Sequence, residues 1–248
     1  MKKIILLGSK PTFDLTLNTL EKKFKEKVFL SCVVTSKEKF ETNFSNHKLK
    51  PHFISDSKRN ENKIISFINN NKLDFLFSIQ HKWILSKNLL SIFDRSLNLH
   101  NAKLPDYKGF FSINHAIANG EKSYTSTIHW ISKNVDEGKL AYKKTIKIEN
   151  NETAISLYNK TLKSCEIIIT NLFNGMVKNN IPSKNIKGKG KFYSKCSLKS
   201  LKKINLTTKS KKIDNVVRAC FFPPYEPAFF IKGKKKFYII PKEQFNTF

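Results

Sequence analysis

The sequence predicts an α/β fold with a doubly wound, mostly parallel sheet. Compact apolar runs occur at Lys3–Gly8, Lys27–Thr35 and Asp74–Gln80, rich in Ile, Leu, Val and Phe as strands buried on both faces are. Stretches with apolar residues at helical spacing fall between them. The order strand, helix, strand, helix, strand is that of a sheet wound from both sides.

Taken in order, Lys3–Gly8 is the first strand, closed by Gly8, with Ser9-Lys10-Pro11-Thr12 as a turn. Asp14 is the expected cap of a helix carrying Leu15, Leu17, Leu20 and Phe24. Lys27–Thr35 and a short His52–Ser55 are the next strands, then an amphipathic helix over Asn62–Asn70, then the strand Asp74–Gln80. No GxGxxG follows the first strand, so an ordinary dinucleotide site is not expected. Ser96–His100 alternates apolar and polar residues as a strand does, and Pro105 and Gly109 break it. A helix is expected over Phe110–Asn119, stopped by Gly120. Strands over Tyr124–Ile131 and Leu140–Ile148 follow, then a long helix over Glu152–Val177.

Composition bounds the function. The 248 residues can bury a sizeable core. The 46 Lys and Arg against 19 Asp and Glu give a net charge of +27, which points to an anionic partner. The excess is almost all Lys and spread along the chain, so an anionic small substrate is expected rather than a nucleic acid. Cys32, Cys165, Cys196 and Cys220 are far apart and form no CxxC, which argues against a zinc site or a disulfide framework and for a reducing compartment. The apolar run after Met1-Lys2-Lys3 is too short for a signal peptide, and no stretch is apolar enough to span a bilayer. A cytoplasmic protein with no membrane partner and no metal is expected.

Chemistry concentrates between Ser96 and Lys139. Asn98 and His100 are two residues apart on a strand, so both address one face near its carboxyl end. A His moves protons near neutral pH, and an amide donates to an oxygen that gains charge. Asp136 can orient His100 and stabilise its charged form. His129 reads as structural or pocket-lining.

The run Asn98-Leu99-His100, Leu104-Pro105-Asp106-Tyr107-Lys108-Gly109, Asn119-Gly120-Glu121, Thr127-Ile128-His129 and Val135-Asp136-Glu137-Gly138 resembles the folate-dependent formyltransferase family. The resemblance implies a Rossmann-like sheet, N10-formyltetrahydrofolate as formyl donor, and Asn98, His100 and Asp136 as catalytic triad. It also implies that the loop with Trp83, Ile84 and Leu85, and that with Asn134 and Val135, hold the folate. The family's Gly-Val-Thr is Thr125-Ser126-Thr127 here.

Composition shifts near Asn179. The expected division is a catalytic domain over 1–180 and a small region over 181–248. The latter holds the basic stretch Lys187–Lys191, the run Arg218-Ala219-Cys220-Phe221-Phe222-Pro223-Pro224-Tyr225 and a hairpin about Gly233. Two strands are marginal alone, so the hairpin is an expected dimer contact. This tail resembles the family branch that formylates nucleotide-linked amino sugars for surface polysaccharides. The resemblance implies a dTDP-linked 4-amino or 3-amino dideoxy sugar as acceptor. Tyr107, Lys108, Tyr193, Arg218, Phe222 and Tyr225 are the substrate candidates. The alternative acceptors are methionyl-tRNA and glycinamide ribonucleotide. A non-catalytic basic nucleic-acid-binding module is a further alternative.

Overall fold

The computed structural model describes residues 1–36 and 51–247. Seven strands form the main sheet: β1 Lys2–Gly8, β2 Val28–Thr35, β3 His52–Ser55, β4 Phe75–Ile79, β5 Ser96–His100, β7 Ser123–Trp130 and β8 Leu140–Lys147. Their order is β3-β2-β1-β4-β5-β7-β8. β1 runs parallel to both β2 and β4, β2 to β3, and β4 to β5, while β5 and β7 are antiparallel. The strand order therefore reverses between β1 and β4, where open sheets of this kind bind ligands. Gly8 sits at that reversal, paired with Ile79. A Cβ there would overlap the Ile79 carbonyl oxygen, so only Gly lets the two strands close.

The helices lie where the apolar periodicity places them. α1 (Lys10–Phe24) buries Phe13, Leu17, Leu20 and Phe24. α2 (Glu61–Asn70) buries Ile64 and Ile68. Alternate residues of β1 feed different cores. Ile4 and Leu6 pack with α1 and with Ile168, Leu172 and Phe173 of the long helix α5 (Ala154–Val177). Ile5 and Leu7 pack with Ile64, Ile68 and Leu89.

Two local expectations are corrected. The turn over Ser9–Thr12 is instead the start of α1: Ser9 is its extended N-cap, and Pro11 falls in the first turn, where its missing N–H costs nothing. Asp14 thus lies inside the helix, not at its cap. The helix expected from Phe110 is α4, Ser112–Ala118, preceded by Phe111 in the left-handed region at φ 57°. Lys108–Gly109 instead forms the short strand β6, parallel to β9 (Phe192–Tyr193). Gly120, at φ 74°, ends α4 as expected. α5 opens with a reciprocal cap: Thr153 N donates to Ser156 Oγ at 2.9 Å, and Ser156 N donates to Thr153 Oγ1 at 3.2 Å.

The chain divides into two compact units. The first holds Met1–His100, Ser126–Lys144 and Ser164–Lys187, and the second Asn101–Thr125, Thr145–Lys163 and Gly188–Phe248. The second has its own core of Ala102, Tyr107, Ile113, Ile117, Tyr124, Leu157 and Tyr193. Within it α6 (Ser210–Cys220) is tied to α4, since Asn114 Nδ2 donates to the Ala219 carbonyl at 2.7 Å. The hairpin is present, β10 Ala228–Lys232 with β11 Lys235–Ile239, and Gly233 takes φ 61° at its turn. Phe230 and Phe237 stack at 5.1 Å across it, and Ile231 and Tyr238 are more than half exposed. Among the described residues no helix is long and apolar enough to cross a membrane.

Candidate active site

β5 ends at His100, and its pleat turns Asn98 and His100 to one face. The antiparallel register sets His129 of β7 directly opposite Asn98. After β7 the chain loops through 131–139 and returns, with Trp130 N donating to the Lys139 carbonyl at 2.8 Å. That loop brings Asp136 back to the end of β5. Asp136 is 8% exposed and sits at φ 55°, in a left-handed conformation that Asp tolerates better than most residues.

Asn98, His100 and Asp136 therefore meet. His100 Nδ1 lies 3.6 Å from Asp136 Oδ2, an ion-pair distance between two nearly buried side chains. This leaves Nε2 as the nitrogen turned from the carboxylate. Such contacts are commonly long without substrate and close when it binds. His129 joins the cluster: its Nε2 is 3.5 Å from Asp136 Oδ1 and 3.2 Å from Asn98 Nδ2, and its Nδ1 is 2.9 Å from the Trp130 carbonyl. The sequence marks His129 as structural or pocket-lining but does not set it against Asn98, because that contact depends on the pairing of two strands about thirty residues apart. The cluster joins an amide donor, a proton acceptor and a buried carboxylate, the groups needed to draw a proton from a nucleophile while an oxygen gains charge.

The loop after β4 is built around one carboxylate. Glu61 Oε1 accepts from Ser86 N at 2.7 Å, and Ser86 Oγ accepts from Leu89 N at 3.2 Å, capping α3 (Lys87–Ile92). Leu85 packs into the core, and Ile84 is 76% exposed. Among the described residues the Trp83 Nε1 donor and the Gln80 Oε1 acceptor are buried without a hydrogen-bond partner. His81 and Asp56 approach to 3.7 Å beside them. Burial holds the His81 imidazole below its usual range against the pull of Asp56 and Glu61. Unmet donors and acceptors beside an exposed apolar side chain suit a flat ring with polar edges. On the 131–139 loop, Asn134 and Val135 are exposed, and Asn134 Nδ2 donates to Glu137 Oε2 at 2.9 Å.

The remaining candidates lie in the second unit. Tyr107 and Lys108 are buried, and Tyr107 Oη donates to Glu121 at 2.7 Å, while burial pushes its phenol well up. Tyr107 and Tyr193 stack at 5.7 Å. Arg218 donates to Asp214 at 2.8 Å, to the Glu152 carbonyl at 2.9 Å and to Asn215, so its guanidinium is held within the unit. Tyr225 is 70% exposed, with the half-buried Phe222 ring 5.9 Å away.

The family described as formyl transferase matches residues 2–172. A methionyl-tRNA formyltransferase of Clostridium tetani is 33% identical over 161 residues, 64% of this chain and 52% of that protein. The chain thus spans about half the length of that relative. Among solved structures, a 4-N formyltransferase from Francisella tularensis superposes with a TM-score of 0.81 at 22% identity, covering 97% of both chains. An N-formyltransferase from Helicobacter canadensis, solved with folinic acid and dTDP-3-aminofucose, gives 0.76 at 22% identity, over 94% of this chain and 85% of that one.

Proposed function

The chain belongs to the formyl transferase family, and on that premise we propose that it moves a formyl group from N10-formyltetrahydrofolate to the amine of a nucleotide-linked amino-dideoxy sugar. The observation that carries the chemistry is the meeting of Asn98, His100 and Asp136 at the end of β5. The folate supplies the formyl carbon when bound. Asn98 donates an N–H to the formyl oxygen as it gains charge. His100 accepts the proton that the attacking amine loses, Asp136 orients the ring and stabilises its charged form, and the same proton is available to the folate N10 as its bond to the formyl carbon breaks. The buried Trp83 Nε1 and Gln80 Oε1, without partners among the described residues, would with Ile84 and Leu85 hold the donor ring on one side, and Asn134 and Val135 would flank it on the other.

The sugar acceptor is supported by the Phe222-Pro223-Pro224-Tyr225 run and by superposition, along nearly the whole chain, on N-formyltransferases of which one was solved with dTDP-3-aminofucose. Phe222 and Tyr225 are the pair we assign to the nucleobase, which stacks on aromatic faces. The surplus of Lys suits the diphosphate of a nucleotide sugar. We assign the exposed apolar face of the hairpin to a homodimer contact. Free Cys32, Cys165, Cys196 and Cys220 fit a reducing, cytoplasmic setting, and the product suits surface-polysaccharide synthesis.

The experiment incubates the protein with the folate donor and a panel of dTDP-linked 3-amino and 4-amino dideoxy sugars. Mass spectrometry should show one sugar gaining a formyl group in place of hydrogen. A second reading keeps the donor and makes methionyl-tRNA the acceptor, on the strength of the Clostridium tetani relative. Formylation of charged initiator tRNA, with every sugar left unmodified, would establish it instead.

A further inference from the structure

His129 is 2% exposed and faces Asn98 across the antiparallel pair. Its Nδ1 lies 2.9 Å from the Trp130 carbonyl, and a carbonyl only accepts, so Nδ1 carries a hydrogen. In the neutral ring Nε2 is then bare. A bare nitrogen 3.2 Å from the Asn98 carboxamide needs a donor, which puts Asn98 Nδ2, not Oδ1, on that side. Asp136 Oδ1, 3.5 Å from the same Nε2, is too far to replace that hydrogen bond. A flipped amide would set its oxygen against the bare nitrogen, lone pair to lone pair.

We propose that His129 is a positioning residue: in its neutral Nδ1–H form it accepts one Nδ2 hydrogen of Asn98 and so aims the other at the oxygen that gains charge during transfer. The proposal rests on the formyl-transfer reading. His129 touches neither substrate in this account. It acts by preventing the carboxamide from turning its acceptor end into the site, where it would repel a developing anion.

The test is a cycle of variants. His129→Phe keeps a ring and removes the acceptor, and His129→Gln restores an acceptor oxygen. His129→Phe should lower kcat about tenfold to a hundredfold, up to the lower limit of the ~10²–10³ cost of losing an oxyanion donor outright, with each KM changed less than about threefold. His129→Gln should recover most of the loss. In an Asn98→Ala background, where no carboxamide is left to aim, His129→Phe should cost less than about threefold more. Equal losses in both backgrounds, or ordinary turnover by His129→Phe, would overturn the proposal. The ¹⁵N spectrum of the wild-type protein gives a readout independent of turnover and of folding in the variants. One bare and one protonated nitrogen in the His129 ring is the expected result, and two protonated nitrogens would overturn it. A wild-type chain that formylates no amine would defeat the formyl-transfer reading and leave the spectrum to judge the ring.

Discussion

Gly138 lies against the backbone of Trp130 so closely that a β-carbon on it would overlap the Trp130 carbonyl oxygen. The next residue, Lys139, accepts a hydrogen bond from Trp130 N at 2.8 Å. The end of the 131–139 loop is therefore clamped to β7, and Asp136 is held two residues from the clamp. This accounts for the glycine in Val135-Asp136-Glu137-Gly138 without any chemistry of its own.

The clamp makes Gly138→Ala informative. Backbone cannot rotate away from an added methyl as a side chain can, so the loop must shift. The variant should lose about 1–3 kcal/mol of stability, and turnover should fall at least tenfold, because displacements of about 1 Å are enough to cost that much. Denaturant unfolding and steady-state rates check the two parts. A variant as active as the wild type would mean that the loop's seat on β7 does not set the Asp136 position.

The contact of His100 with Asp136 gives a sharper prediction. His100→Ala and Asp136→Asn should each lower kcat by about a hundredfold or more, as expected of groups that move or steer a proton. Asn is the right replacement at 136, because it also tolerates the left-handed backbone at φ 55° and so removes the charge without adding strain. Near-normal turnover in both variants would remove these residues from the mechanism.

Much of the sheet was legible because each buried strand is a short apolar run, and α2 because Ile64 and Ile68 repeat at helical spacing. Asn98 and His100 could be placed on one face from their spacing alone. Other features depend on contacts that no local pattern carries. Ser9 was hidden as the start of α1 because Pro11 looks like a turn residue until it falls in a first helical turn. The helix expected from Phe110 starts later because Lys108–Gly109 pairs with Phe192–Tyr193, over eighty residues away. His129 entered the cluster only through the register of β5 and β7.

The carboxylate under the β4 loop predicts a separation of binding from chemistry. Glu61 accepts from Ser86 N at 2.7 Å, next to Ile84 and Leu85. Glu61→Ala frees that loop without touching Asn98, His100 or Asp136. KM for the folate donor should rise about tenfold, the scale of the ~1.5 kcal/mol of one hydrogen bond to a charged group, with kcat held within about twofold. An unchanged KM for the donor would argue that the loop does not bind it.

Acid should reveal a buried histidine in the second unit. His115 is 7% exposed, stacks on Tyr193 at 3.9 Å and shares a hydrogen bond with Ser197 Oγ at 2.8 Å. Burial, helped by Lys191, pulls its pKa from 6.5 down to about 4. Between those values the unfolded chain binds a proton that the folded chain refuses. The His115 contribution is therefore present in full above about pH 6.5 and is lost as pH falls toward 4. It amounts to about 3 kcal/mol at most. His115→Gln keeps a partner for Ser197 and removes the titration, while the carboxylates titrate alike in both proteins. Unfolding free energies at pH 7 and near pH 4.5 should thus show the wild type losing about 2–3 kcal/mol more than the variant. Equal losses would mean that His115 charges in the folded state as readily as in the unfolded chain, and the cause assigned to its depressed pKa would be wrong.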